Sequence, residues 1–130
     1  MISTNQNIIP FLWFNNRAEE AIRFYTELFP NSSVQSLKKW DAGGPFPEDG
    51  IMMGSFVIDG LKVHAFDAGP QFTFNESVSF FVECTSQQEI DKYWNALIAD
   101  GGAESMCGWL KDKFGFSWQI VPKMLGERMS

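Results

Sequence analysis

One structural unit occurs twice in this chain, and that duplication restricts the fold more than any other feature. With a constant shift of 69, Ile8 to Phe29 lies over Ser77 to Ile98. The strand-like run Ile8-Ile9-Pro10-Phe11-Leu12-Trp13-Phe14 falls on Ser77-Val78-Ser79-Phe80-Phe81-Val82-Glu83. A helix-patterned stretch follows in both, with Phe24-Tyr25 over Tyr93-Trp94 and Leu28 over Leu97. Further on, Asp59-Gly60-Leu61-Lys62-Val63-His64 resembles residues 113–119, with Gly60 over Gly115 and His64 over Gln119. A strand–helix–strands unit this short cannot close a core alone, so the two copies are expected to pack together. Function is then expected in a cleft between equivalent strands.

Local signals fill in each copy. Ile8 to Phe14 is a continuous apolar run of strand length, read as a strand buried on both faces. Asn16 with Glu19 has capping-box spacing, and Ala18, Ala21, Ile22, Tyr25, Leu28 and Phe29 form a helical stripe that Pro30 ends. Ser32 to Trp40 reads as a strand. Asp41 to Gly50 is a loop without counterpart in the second half, either a plain mobile loop or a lid. Ile51 to Ile58, the turn Asp59-Gly60 and Leu61 to Ala68 read as a hairpin. Gly69-Pro70 opens the linker.

The second copy starts with a strand over Glu76 to Cys84. Ser86 with Glu89 repeats the capping box, and Ile90, Tyr93, Trp94, Leu97 and Ile98 make the next stripe, ended by Gly101-Gly102. Glu104 to Lys111, a turn at Asp112 to Gly115 and Phe116 to Val121 complete it. The predicted helices are Ala18–Phe29 and Gln87–Ala99. The architecture is an α+β domain over residues 1–130, with βαβββ modules at about 8–68 and 76–122.

The chain has 130 residues, 45% of them hydrophobic and 15% aromatic, enough for a real core and against disorder. A net charge of −6 excludes a nucleic-acid surface, which needs clustered Lys and Arg. No apolar run approaches spanning length and the N-terminus lacks a secretion-signal layout, so a cytoplasmic protein without a membrane role is expected. Cys84 and Cys107 have no metal-type spacing and read as reduced thiols. Cys84 ends a buried strand and is expected to be inert, and Cys107 is read as structural at the rim of the cleft.

Three stretches resemble a known family. They are Phe11-Leu12-Trp13-Phe14 with Ala18-Glu19-Glu20-Ala21 and Phe24-Tyr25; Phe74-Asn75-Glu76-Ser77-Val78-Ser79-Phe80; and Cys107-Gly108-Trp109-Leu110-Lys111-Asp112 running on to Ser117-Trp118-Gln119-Ile120-Val121-Pro122. They are similar to the PhnB-like group of the vicinal-oxygen-chelate superfamily (glyoxalases, bleomycin-resistance proteins, dioxygenases), often labelled 3-demethylubiquinone-9 3-methyltransferase. The resemblance implies a glyoxalase-like mixed-sheet cup and a homodimer. It also implies a small-molecule enzyme, a degenerate relative of one, or a non-catalytic binding protein of the bleomycin-resistance type.

Superfamily metal ligands come from the first and last strands of each copy. Carried over through the repeat, those positions fall on Pro10, Ser79, His64 and Gln119. Proline offers no ligand and serine a poor one, so no cofactor is expected and a weak divalent metal at His64 is not favoured. His64 is the only histidine; its plainer reading is a satisfied groove residue, its functional one a proton acceptor or donor. His64 and Gln119 are the catalytic candidates, expected to face each other across the pseudo-twofold axis.

Alternation along the strands groups Leu12 and Phe14 with Pro10, Phe81 and Glu83 with Ser79, Phe66 with His64, and Val121 with Gln119. The opposite positions Phe11, Trp13, Phe80, Trp118 and Ile120 are assigned to the core. The expected small-molecule site is therefore Phe14, His64, Phe66, Ser79, Phe81 and Gln119. An under-filled core reads the same way. Lys111 and Asp112 are placed in a surface turn. No glycine-rich strand-to-helix loop for S-adenosylmethionine is present, so the methyltransferase label is read as family transfer.

Overall fold

The computed structural model describes residues 6–106 and 108–123. Two compact units emerge, Met1–Thr73 and Phe74–Ser130, and among the described residues each contains one α-helix and one four-stranded sheet, with a short 3-10 turn at Ala99–Gly101 in the second. In the first unit the order is β1 (Phe11–Phe14), α1 (Ala18–Leu28), β2 (Ser33–Lys39), β3 (Ile51–Ile58) and β4 (Leu61–Asp67). The sheet runs β1-β4-β3-β2, with β1 parallel to β4 and the other pairs antiparallel. The second unit repeats this with β5 (Ser79–Cys84), α2 (Gln87–Ile98), β6 (Ala103–Glu104), β7 (Trp109–Lys111) and β8 (Ser117–Pro122). Its sheet runs β5-β8-β7-β6, with β5 parallel to β8. The duplicated βαβββ expectation is met.

Each helix covers one face of its own sheet. Ala18, Ala21, Ile22 and Tyr25 of α1 are buried, following the 3.6-residue stripe of the sequence. The helix lies close over β3 because Gly54 leaves room: a β-carbon there would sit 2.8 Å from the Ile22 Cδ1. Pro30 ends α1, since the residue before a proline is pushed out of the helical region, and Phe29 is extended at φ −100°. The β3–β4 turn has positive φ at both Asp59 and Gly60, as a primed two-residue hairpin requires.

The two helix starts differ. Ser86 accepts from the Glu89 amide at 3.1 Å and the Glu89 carboxylate accepts at 3.0 Å from the amide of Thr85, one residue before the N-cap, so the second Ser/Glu cap forms with its return bond shifted by one residue. The first does not. Asn16 adopts φ 61°, Arg17 is the N-cap without a side-chain cap bond, and the Ala18 amide donates to the buried Asp67 carboxylate at 3.0 Å. The other Asp67 oxygen accepts from the Ile51 amide at 2.8 Å, so one carboxylate fixes the helix start and the entry of β3.

Other expectations are revised. The first strand is four residues long and lies at a sheet edge, with Phe11 48% exposed, so it is not buried on both faces. The stretch 104–111 is not one strand: β6 ends at Glu104 and β7 begins at Trp109. Asp112 is no surface residue. It is buried, and its carboxylate accepts from the Phe114 and Phe116 amides and the Trp118 indole, the last at 2.8 Å. The 41–50 loop is anchored by bonds from the Trp40 amide to the Gly50 carbonyl and from the Trp40 indole to the Asp67 carbonyl, with Phe46 against the Trp40 ring. It is not a free-standing lid.

The largest revision concerns faces. Phe11 pairs with His64 and Phe81 with Gln119, so the first strands match with a shift of 70. The N-caps Arg17 and Ser86 match with a shift of 69. The first unit holds one more residue between strand and helix, accommodated where Asn16 takes its left-handed conformation. A one-residue slip exchanges the faces of a strand. Leu12 and Phe14 consequently lie buried on the helix side, and Phe11 and Trp13 share the open face with His64.

Replacing Asp67 with alanine leaves two buried amides without acceptors and is expected to lower stability by about 2–5 kcal/mol. Asp67→Asn, which keeps one acceptor oxygen, is expected to lose less. Urea unfolding of both variants against the parent checks this; equal stability of all three would remove the carboxylate from this role.

Candidate functional site

On the open face of the first sheet, a row of aromatic rings leads away from the single imidazole. Parallel pairing puts Phe11 beside His64 and Trp13 beside Phe66. Phe11 meets His64 edge-on at 5.9 Å and Phe66 at 4.9 Å; Trp13 meets Phe66 at 5.1 Å and Phe72 at 4.8 Å. Edge-to-face packing fixes the rings relative to one another, and Phe72 remains 57% exposed at the end of the row. The Trp13 indole donates to the Gly69 carbonyl at 2.9 Å, which ties the connecting segment to this face.

His64 is half-buried, and its Nδ1 lies 2.8 Å from the Ser55 hydroxyl on the neighbouring strand. Burial lowers its pKa below 6.5, the Lys62 charge two residues away lowers it further, and the Gly54 carbonyl partly offsets both. The imidazole is therefore neutral at pH 7. Its chemistry is that of a weak base with both a donor and an acceptor nitrogen.

The second unit carries a carboxamide at the equivalent position. Gln119 donates from Nε2 to the Ser79 hydroxyl at 3.0 Å, and Phe81, its strand partner, is 55% exposed. Ser79, Phe81 and Glu83 alternate onto the face of Gln119, as the sequence implied, with Phe80 and Trp118 in an aromatic cluster with Phe116. Of the expected site residues, the first unit brings His64 and Phe66 together and the second brings Ser79, Phe81 and Gln119 together. Phe14 does not belong with them: it is buried beside Asp67 on the helix side. Phe11, Trp13 and Ser55 take part in the first face and were missed. Ser55 was findable, since the two-residue turn at Asp59-Gly60 sets Ile58 against Leu61 and so Ser55 against His64.

The donors on the His64 face do not fit a divalent cation. Its neighbours are hydrocarbon rings, a hydroxyl and the cationic Lys62, and Asp67 is buried on the other side holding backbone amides. Among the described residues no group of three or more His, Cys, Asp or Glu comes together. Cys84 borders a hollow of about 350 Å³ at the start of α2 with Ser86, Gln87, Ile90, Pro122 and Lys123. Its thiol, pushed up to about 11 by burial and then by Glu89, stays protonated and supplies no nucleophile. Cys107 lies outside the described residues. No described helix is long and apolar enough to cross a membrane.

The pattern of a family described as 3-demethylubiquinone-9 3-methyltransferase matches residues 6–121. The chain is similar to a putative 3-demethylubiquinone-9 3-methyltransferase, PhnB protein, from Bacillus cereus, at 35% identity over 89% of this chain and 99% of that one, with a TM-score of 0.84. A protein from Pseudomonas aeruginosa, 23% identical over 91% and 98% of the two chains, has a TM-score of 0.72. The fosfomycin resistance protein FosX from Listeria monocytogenes, solved with Mn(II) and sulfate ion, matches at 16% identity over 98% and 100%, with a TM-score of 0.63. PhnB and FosX belong to the vicinal-oxygen-chelate superfamily, and the present fold is the same. Comparison with curated proteins gave no significant match.

The lone histidine makes the electrostatics directly measurable. Its ring is expected to titrate with a midpoint below 6.5, and Lys62→Ala is expected to raise that midpoint. Because folding favours the neutral ring, the stability this contributes is present above pH 6.5 and falls as pH drops toward the folded midpoint. NMR titration of the His64 ring protons checks both; a midpoint above 6.5 contradicts the account.

Proposed function

Since the chain belongs to the 3-demethylubiquinone-9 3-methyltransferase family, a PhnB-like branch of the vicinal-oxygen-chelate superfamily, we propose that it binds a small molecule on the aromatic face around His64 and that His64 is the proton acceptor toward it. The observation that carries this is a neutral imidazole that meets the exposed Phe11 ring edge-on, on a face that the helix leaves uncovered. Rings contribute contact area at little cost in side-chain entropy, and the imidazole supplies orientation. The ligand that suits such a face has an unsaturated or aromatic body and one hydrogen-bond donor.

The family description names a methyl transfer, but no glycine-rich strand-to-helix loop for S-adenosylmethionine supports that activity here. FosX was solved with Mn(II); the donor set around His64 favours instead a site without a resident divalent metal. On the reading that His64 removes a proton, the protein is an enzyme. The second reading is a binding or sequestering protein, favoured by the absence, among the described residues, of any cluster of three or more His, Cys, Asp or Glu that would support the imidazole.

A panel of phenolic and carbonyl-bearing aromatic compounds, screened by thermal shift and followed by NMR, separates these readings. A true ligand is expected to shift the His64 ring signals, and His64→Ala and Phe66→Ala are each expected to weaken it at least tenfold (about 1.4 kcal/mol). Conversion of the ligand, lost in His64→Ala, marks an enzyme; unchanged ligand marks a binder. Affinity unaffected by either substitution, with folding intact, places the site elsewhere.

The homodimer expected from the sequence is also proposed. Ile8 is 91% exposed, Met106 79% and Val78 63%, apolar side chains that a second chain could cover. Light scattering at micromolar concentration is expected to give twice the chain mass; a monomer overturns it.

A further inference from the structure

We infer that the ligand of the His64 face is an anion, an aromatic carboxylate with a hydrogen-bond donor at the opposite end of its ring, and that Lys62 selects it by charge. The inference rests on the reading of that face as the binding site and adds the class of molecule the site prefers.

Charge is divided unevenly between the two sides of the first sheet. Its four strands contain one carboxylate, Asp67, and that side chain is buried on the helix side, where two backbone amides hold it. Lys62 alternates with Val63 and shares the open face with His64. Lys38 pairs with Met53, two residues along β3 from Ser55, and stands on the same face. Its neighbour Lys39 turns the other way and reaches Glu19 of α1 at 3.9 Å. The strands therefore give the open face two lysines and no acid, in a chain of net charge −6.

Other basic side chains have partners. Arg17 meets Glu20 at 3.1 Å, Arg23 meets Glu19 at 2.9 Å, and Lys111 meets Glu76 at 3.0 Å. Among the described residues neither Lys62 nor Lys38 has an acidic partner. Lys62 is half-buried, whereas Lys38 is exposed. The backbone that carries Lys62 is also fixed. The Gln6 carboxamide donates to its carbonyl at 2.9 Å and accepts from its amide at 3.0 Å. A held cation without a counter-ion, on a face without carboxylates, attracts a negative group from outside the chain.

Spacing selects the shape of that molecule. Residues two apart on one side of a strand are separated by about 7 Å. A benzene ring with groups at opposite ends has a similar span. With its donor at His64, such a ring brings its far group to Lys62, and Phe11 borders the imidazole edge-on at 5.9 Å. A lysine ammonium is a compact point charge on a flexible stem, so it meets a carboxylate without the paired geometry an arginine imposes. Lys62 stands at the end of the ligand away from the proton, which makes it a specificity residue and not a catalytic one.

The test compares para-hydroxybenzoate with para-hydroxybenzamide, which share a shape and differ in charge. Backbone amide signals of Lys62 and His64 report binding, above the titration midpoint of the ring. The parent is expected to bind the carboxylate about fivefold tighter, the upper end for a partly exposed ion pair. That preference is expected to vanish in Lys62→Met, which keeps the stem without its charge, and to return in Lys62→Arg. Salt at about 1 M is expected to reduce it, because screening then acts within about 3 Å. Amide spectra confirm that each variant is folded, and a merely structural lysine would change both affinities together. A parent that binds the amide as tightly as the carboxylate, or a preference that survives in folded Lys62→Met, overturns the inference. The two proposals fail separately. Equal binding of both compounds, lost in His64→Ala, sinks this one alone; a Lys62-dependent preference that His64→Ala leaves untouched sinks the role of His64 alone. Signals that neither compound moves overturn both.

Discussion

The parallel pairing of first strand with last strand is the constraint from which each unit takes its chemistry. A hairpin alone would give this face of β3 and β4 the residues Ser55, Val57, Lys62, His64 and Phe66. Adding β1 alongside β4 sets Phe11 next to His64 and Trp13 next to Phe66, so the imidazole acquires an aromatic border. Parallel neighbours need a long connection; between β1 and β4 it runs through α1, β2 and β3, and α1 covers the opposite face. Side chains alternate strictly along a strand, so the pairing register fixes at once what is core and what is available to a ligand.

That strictness explains what was legible in the sequence. The helices were readable to within a residue, Ala18–Leu28 and Gln87–Ile98, because apolar periodicity over three turns is redundant. The β3–β4 hairpin was readable because Asp59-Gly60 is a turn dipeptide with one geometry. The face of β1 was not. The repeat was aligned through its helices, and the single additional residue at Asn16 shifted the strand by one position, which reversed Phe11, Leu12, Trp13 and Phe14 together. In the second unit, where the strand alignment was internally consistent, Ser79, Phe81 and Gln119 fell on one face as read. Asp67 and Asp112 were missed for another reason. Their acceptors serve amides far away in the chain or one turn ahead, and no local pattern announces a buried carboxylate capping backbone.

These two aspartates also show how the units pass the polar groups of irregular backbone into the core without loss. Asp67 closes the start of α1 and the entry of β3; Asp112 closes the β7–β8 turn and takes the Trp118 indole. Among the described residues no buried side-chain polar atom lacks a partner. A buried carboxylate is tolerable when several N–H groups point at it, and both sites meet that condition. The open faces are different. There Ser55 pairs with His64 and Ser79 with Gln119, each inside its own unit.

The duplication is therefore one of backbone and not of chemistry. Both units hold a hydrogen-bonding head with a serine, but the serine comes from the antiparallel neighbour in the first and from the parallel neighbour in the second. A carboxamide cannot exchange a proton near neutral pH, whereas an imidazole of lowered pKa can accept one without first losing one. Aromatic surface is present on both faces, yet only the first joins it to a base. On the proposed reading, the asymmetry gives proton acceptance to His64 and leaves recognition and orientation to Gln119.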